Sequence, residues 1–472
     1  MNKEVTPKVS FEKKLVMIGF GSVGQAVLPL IFRHIKLSPS QVTIISKKAD
    51  GLAIAQEYGA QFIQDSLTRE NYLRILAEHV KAGDFLLNLS VDVSSHDLIE
   101  YCQEHVVIYL DTCIEPWAGG YIDPALHAER RSNYSLRAAA LALRKPGKKA
   151  TAVLTHGANP GLVSHLVKQA LLNIAADNKM TVKEPTTREE WADLAHRLNI
   201  QAIHIAERDT QVAKVAKRPG EFVNTWSVDG FVSEGCQPAE LGWGTHEKTM
   251  PEGASQHDKG CMSAIYLNRP GASTRVRTWT PLSGPFHAFL ITHGEAISIP
   301  SYLSVKKDGK VVYRPTVHYA YHPCNDAVLS VHELAGREWE QQPDQRLIFD
   351  EITDGMDELG VLLMGNEKGA YWYGSQLTIH EARKLAPHNN ATSMQISSSV
   401  LGGILWAMEN PEVGIVEPEE MDYRYILDVV RPYLGKVDGY YTDWTPLEGR
   451  EKLFPEGIHN DDPWQFTNIL VN

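Results

Sequence analysis

The stretch Leu15-Val16-Met17-Ile18-Gly19-Phe20-Gly21-Ser22-Val23-Gly24 decides the fold. Four apolar residues read as a buried strand, and a G-x-G-x-x-G turn follows at once. Gln25-Ala26-Val27-Leu28 then opens an apolar helix. Gly19 permits the tight turn, Gly21 lets backbone approach a pyrophosphate, and Gly24 lets the helix sit close on the strand. The helix N-terminus, with Ser22 and Val23 in its first turn, faces the negative charge. The glycine pattern alone is weak. Its position between a strand and a helix meets the context that a dinucleotide site requires. A purely structural glycine turn is the competing reading.

The acidic partner of this motif is less clear. The second strand reads as Gln41-Val42-Thr43-Ile44-Ile45, and an Asp or Glu is expected at its end to hold the ribose hydroxyls. Ser46, Lys47 and Lys48 stand there instead, and Asp50 comes late. The lysines either favour a 2′-phosphate or are solvated loop charges, so this loop leaves NAD and NADP both open.

The chain has 472 residues, too long for one core, so two or three domains are expected. Hydrophobic residues make up 43% and charged residues 22%, an ordinary globular balance. No apolar run reaches the length of about 18 residues that a membrane span needs. The N-terminal MNKEVTPKVSFEKK lacks the apolar core of a secretory leader. Five cysteines, Cys102, Cys113, Cys236, Cys261 and Cys324, are scattered without C-x-x-C spacing. That pattern fits a reducing, cytoplasmic setting and argues against a disulfide frame or a zinc knuckle. A net charge of −12 disfavours nucleic acid as a partner and is compatible with a cationic substrate.

Strands and helices alternate beyond the glycines. Residues 84–90, 105–112 and 150–155 read as further strands separated by helical patterns, which indicates βαβ units and a parallel sheet. The loops at their carboxyl ends carry Ser90-Val91-Asp92, Asp111-Thr112-Cys113-Ile114-Glu115 and His156-Gly157-Ala158-Asn159-Pro160-Gly161. Ligands bind on that side of such a sheet. From about residue 185 the texture changes to short alternating runs: 201–207, 222–228 and 287–293. These read as half-buried strands. Residues 393–410 read as a helix. The expected fold is α/β, with an N-terminal Rossmann parallel sheet and a second α+β domain whose mixed sheet covers the cofactor. The expected division is 1–158, 159–390, and 391–472 as a helical segment returning to the first domain, plus a tail.

Several segments carry a resemblance. GFGSVG (19–24), NLSVDVSS (88–95), LDTCIEPW (110–117), THGANPGLVSH (155–165), the run 203–211, FVNTWSVDGFVSEG (222–235) and ITHGEAISIP (291–300) are similar to bacterial homospermidine synthases, within the saccharopine dehydrogenase-like group. The resemblance implies a redox cycle on tightly held NAD. Putrescine is oxidised to an imine, ammonia leaves, a second putrescine condenses, and NADH returns the hydride to give homospermidine. It also implies a homodimer. Putrescine alone, or spermidine as well, is the implied aminobutyl donor.

A diamine site needs carboxylates for the ammonium ends and aromatic or apolar walls between them. It also needs a base, because hydride leaves a carbon only when its nitrogen is neutral. By resemblance, the indole of Trp226, read as lying in an alternating strand, contacts the substrate cation. Glu234, beside Gly235, suits an ammonium anchor, and a turn glutamate is the bland alternative. Glu207 ends an alternating strand, as an inner carboxylate or a surface partner of Arg208. Asp92 and Glu115 lie in loops at the carboxyl end of the parallel sheet. Asn159 is placed to orient the nicotinamide amide or a substrate amine, or simply builds an Asn-Pro-Gly turn. His293 resembles the family's histidine and is expected to take a proton near neutral pH. Ser46, Ser90 and Thr112 complete the expected cofactor contacts. His318 and His322 have helical metal-ligand spacing, but no accompanying glutamate, and no metal is expected. A reductive-amination oxidoreductase joining an amine and an oxo acid is the alternative enzyme, and a dinucleotide sensor is the alternative outside enzymes. The first needs arginines to clamp a carboxylate.

Overall fold

The computed structural model describes residues 8–459 and 461–471. Residues 1–7, which open the stretch read above as lacking a leader, lie outside them. Leu15–Ile18 is a fully buried strand, and the chain turns through the glycines into the helix Ser22–His34. The strand lies inside a parallel sheet of seven strands among the described residues. Their order is Val413–Val416, Lys149–Val153, Ile108–Asp111, Phe85–Asn88, Leu15–Ile18, Val42–Ser46 and Gln61–Gln64. Ile18 pairs with Ile45 on one side and Asn88 on the other. Strand order reverses across Leu15–Ile18, and such a switch point leaves a crevice at the carboxyl ends.

The second sheet is mixed. Ala202–Asp209 and Thr316–His322 run parallel at its centre. Met356–Asn366, Gly369–Thr378 and Lys436–Thr442 extend it antiparallel on one side. Thr316–His322 also pairs with Gly284–Ile291, which leads to Arg275–Thr280 and the terminal Leu470–Val471.

Two local readings differ from the structure. Residues 222–228 do not form one strand. The strand Glu221–Asn224 stops, the chain turns at Thr225-Trp226, and Ser227 caps the helix Val228–Cys236 by accepting from the Gly230 N–H at 2.9 Å. Trp226 therefore stands at a strand-to-helix turn, and Glu234 lies on a helix. An Asn-Thr-Trp-Ser run imitates alternation, but a serine cap overrides it. His318 and His322 lie on a strand, so their spacing does not bring them together as on a helix. His318 packs on His204 instead, with ring centroids 4.0 Å apart. No cluster of metal-ligating side chains occurs among the described residues.

The helix Ala391–Glu409 is buried over most of its length, its polar Thr392, Gln395, Ser397, Ser398 and Ser399 included. It packs against Ser22–His34 and Tyr423–Val430. Its N-terminus binds both halves of the molecule. Asn389 Nδ2 donates to Ala26 O at 3.1 Å in the first helix of the parallel sheet. Asn390 caps Ser393 and donates through Nδ2 to Thr225 O at 2.6 Å, at the base of the Trp226 turn. Asn390→Ala removes a cap and strands buried carbonyls, so it is expected to cost on the order of 2–3 kcal/mol. Thermal unfolding measures this; a melting temperature equal to wild type would remove the cap from the account.

Candidate active site

The glycine turn forms an open cradle. Gly19 has φ 84°, and a Cβ on it would lie 2.7 Å from the Ser90 backbone N. Gly24 packs the helix on the strand, since a Cβ there would meet the Phe20 ring at 2.9 Å. Gly21 differs, because a Cβ there meets no protein atom within 4 Å. It caps the helix without any side-chain bond, leaving the first N–H groups free. The buried Ser22 Oγ beside it has no partner. Open space, free N–H groups and an orphaned hydroxyl fit a diphosphate at a helix N-terminus.

The cradle opens into a cavity of about 1050 Å³. Ser46, Ser90 and Thr112 line its walls, as do Val23 and Asp92. Asn88 holds Ser90 by accepting from its Oγ at 2.5 Å. Lys48 lies 3.7 Å from Asp229, which joins the second strand's end to the Trp226 helix. Asp111, buried at the end of its strand, accepts from the Thr155 N–H at 2.6 Å and from Tyr109 Oη at 2.8 Å. It thereby fixes the start of the Asn159 turn. Within that turn Gly161 has φ 125°, and a Cβ there would strike Gly157 O.

At the far end the second sheet closes the cavity. Asn159, Glu207, Trp226, Glu234, His293 and Tyr319 all line it. The structure thus collects the sequence-derived candidates in one chamber, apart from Gly24, which packs, and Glu115, which lies just behind the wall. The buried Glu115 accepts from Cys113 Sγ at 3.2 Å and from the Asp92 N–H at 3.4 Å. Burial pushes its carboxyl up to about 8, against the Cys113 hydrogen bond, with Glu234 adding to the rise. Burial and Asp229 raise Asp92 likewise.

Glu207 is no surface partner of Arg208. It is buried, and its Oε2 accepts from Tyr319 Oη at 2.5 Å and Asn159 Nδ2 at 3.2 Å. Burial raises its carboxyl above the ordinary range, against the Tyr319 bond. Arg208 turns away to the carbonyls of Asp209 and Pro323. No arginine clamp therefore forms at the inner end. The Trp226 indole donates to Tyr321 Oη at 3.2 Å, and its ring tilts on Phe231. Tyr321 stacks on Tyr319 at 5.2 Å.

His293 departs from the expected role of base. Its Nε2 lies 2.9 Å from Glu234 Oε2, and its Nδ1 lies 3.3 Å from Glu295 Oε1. Burial alone would lower its pKa, but the two carboxylates overcome this and raise it to about 10. His293 stands as an imidazolium that already holds its proton. The sequence reading missed Glu295, Tyr319 and Tyr321. The alternation of Tyr319 and Tyr321 along 316–322 was the available signal.

The fold and this chamber define a Rossmann-type protein that pairs a dinucleotide cradle with a buried, acidic, aromatic substrate pocket. Residues 15–154 match the family model described as saccharopine dehydrogenase NADP binding domain, and residues 157–443 match the saccharopine dehydrogenase C-terminal domain. Homospermidine synthase from Blastochloris viridis is 56% identical over 97% of each chain. That from Mesorhizobium japonicum is 53% identical over 97% of this chain and 96% of the relative. A solved homospermidine synthase from Legionella pneumophila, in complex with NAD, is 53% identical, covers 98% of this chain and 99% of its own, and superposes with a TM-score of 0.92. The chain belongs to the homospermidine synthase family.

Gly21→Val fills the cradle and is expected to abolish nucleotide binding while the fold survives. Isothermal titration with NAD⁺ checks it, and affinity equal to wild type would place the nucleotide elsewhere. His293 yields a stability prediction. Its folded pKa of about 10 lies above the ordinary unfolded value near 6.5. Its contribution is complete below about pH 6.5 and is lost as pH rises toward 10. Denaturant unfolding should show this decline in wild type and a shallower one in His293→Gln; parallel slopes would refute it.

Proposed function

We propose that this chain catalyses homospermidine formation: two putrescines give homospermidine and ammonia. The carrying observation is the chamber itself. Carboxylates at its inner end and along one side stand between aromatic walls, and the whole opens onto a dinucleotide cradle. A diamine is the complementary ligand, with two ammonium groups separated by methylenes. When bound, NAD supplies the hydride acceptor for the oxidation and, once reduced, the donor for the return. NAD rather than NADP is supported by the nucleotide in the solved relative and by Lys48 being drawn to Asp229.

Residue roles follow from placement. Glu207, oriented by Tyr319 and Asn159, takes the proton from the inner ammonium and frees its lone pair for imine formation. Glu234, held against the His293 cation, receives the outer ammonium. Asp92 draws diamine in along the wall under the cofactor loops, and Glu115 behind it accepts from the Asp92 N–H and holds that loop. Trp226 faces the imine cation, a contact worth up to about 2 kcal/mol when desolvated. Spermidine shares the aminobutyl end and is a second donor in this reading. We divide the work as cofactor binding by 1–158, substrate handling by 159–390 and closure by 391–472. The enzyme is cytoplasmic in this reading, supported by five free cysteines, and a homodimer, as the family resemblance implies.

The oxo-acid alternative loses its main support, because Arg208 points away from the inner end. Incubation with putrescine and NAD⁺ tests the proposal. Homospermidine and ammonia should form without net NADH, and accumulation of NADH without polyamine product would overturn it. Trp226 substitutions should grade with ring electrostatics. Trp226→Phe should lose about 1 kcal/mol of transition-state stabilisation, and Trp226→Ala clearly more. Equal losses in kcat/KM with intact circular dichroism would assign Trp226 to packing.

A further inference from the structure

Behind Glu207 the second sheet places two more carboxylates. Asp209 lies two residues along on the same strand face, and the register sets Asp357 directly opposite Asp209. Like charges placed this way across a sheet repel. Glu207 is 3% exposed, and Asp209 and Asp357 are fully buried. Every element around them contributes neutral donors. Tyr319 and Asn159 serve Glu207. The Gln211 N–H and Thr225 Oγ1 serve Asp209, at 2.8 and 3.0 Å. Thr392 Oγ1, in the first turn of Ala391–Glu409, serves Asp357 Oδ2 at 2.6 Å.

Among the described residues, no lysine, arginine or histidine forms an ion pair with any of the three. Arg208 spends its guanidinium on Asp209 O, Pro323 O and Asn325. His293 is committed to Glu234 and Glu295. The remaining oxygen, Asp357 Oδ1, is buried with no partner. The register pairs Glu207 with Leu359, so Asp357, two residues from Leu359 on the same face, is the diagonal neighbour of Glu207, a spacing that long side chains span. Two ionised carboxylates cannot share such a contact, whereas one proton between them satisfies both.

We propose that Asp357 carries a proton at neutral pH and shares it with Glu207, so that the two carboxyls form the proton store of the reaction. This rests on the amine chemistry proposed above. As the substrate ammonium loses a proton, an N–H bond breaks, an O–H bond to Glu207 forms, and the pair passes from one proton to two. The electron pair stays on nitrogen. The proton returns when the product amine is protonated. Glu207 meets the substrate; Asp357 does not line the cavity and is a positioning residue. Burial, then the charges of Glu207 and Asp209, hold Asp357 well above the ordinary carboxylate range, in keeping with this assignment.

Infrared titration of the nucleotide-loaded protein without substrate tests the store independently of which amine is used. At about pH 8, far above an ordinary carboxyl, wild type should keep a protonated-carboxyl band that Asp357→Asn lacks. In turnover, Asp357→Asn should lower kcat by about tenfold or more and leave KM within about twofold. An unchanged band, or an unchanged kcat, overturns the proposal. Should Asp357→Asn fail to fold, wild type grown on isotope-labelled aspartate decides. An isotope-shifted protonated aspartate at about pH 8 supports the proposal, and its absence overturns it whatever the variant kinetics.

Discussion

Glu207, Asp209, Asp357, Glu234, Glu295 and Glu115 are all removed from water around one chamber, and His293 is the cation built among them. Burying an ionised carboxylate costs several kcal/mol unless hydrogen bonds or a counter-charge offset it. The protein meets part of that cost with hydroxyls, amides and backbone N–H groups. A further part is met by the N-terminal end of Ala391–Glu409, whose first turn lies against Asp357 through Thr392. What remains is a deficit of positive charge. In the proposed function a dicationic ligand supplies it, and the charge deficit becomes affinity for a diamine.

Such a charge set functions only if its members are held in place, and the fold achieves this with turns at element ends. Trp226 stands where a strand gives way to a capped helix, and that same helix presents Glu234. His293 follows a strand and precedes the helix Glu295–Tyr302, which carries its second carboxylate. Asn159 sits in a turn pinned by the buried Asp111 through Thr155. Asn389 and Asn390 then tie the first helix of the cofactor domain to the turn below Trp226. Cradle and chamber are thus fixed relative to each other by two adjacent amide side chains at the end of one buried helix.

The sequence displayed the cradle openly, because Gly19 and Gly24 answer close approaches within the protein and Gly21 leaves the open space that a diphosphate needs. The parallel sheet was equally visible, as continuous apolar runs separated by helical patterns. The Trp226 segment was misread as strand: its polar-aromatic alternation has the right period, but Ser227 caps a helix, and capping is a three-dimensional event. The spacing of His318 and His322 misled for the opposite reason, since a helical interval has no meaning on a strand. Asp209 and Asp357 left no local mark at all. They meet only through antiparallel register across nearly 150 residues, a pairing that depends on the whole sheet.

The same electrostatics govern what the chamber rejects. An oxo acid would bring a carboxylate toward Glu207 and Glu234, with Arg208 facing the other way. His293 gives no relief, because its two nitrogens are already engaged by Glu234 and Glu295. Repulsion inside a low-dielectric pocket opposes any gain from the aromatic walls, so in the proposed function charge disfavours anionic partners. A monoamine fits the walls but leaves one carboxylate uncompensated, and forfeits the charge-assisted bonds that a second ammonium makes. In the proposed function, selectivity for a molecule positive at both ends comes from the carboxylates that also set the proton chemistry. In this reading one arrangement of buried charge performs both tasks.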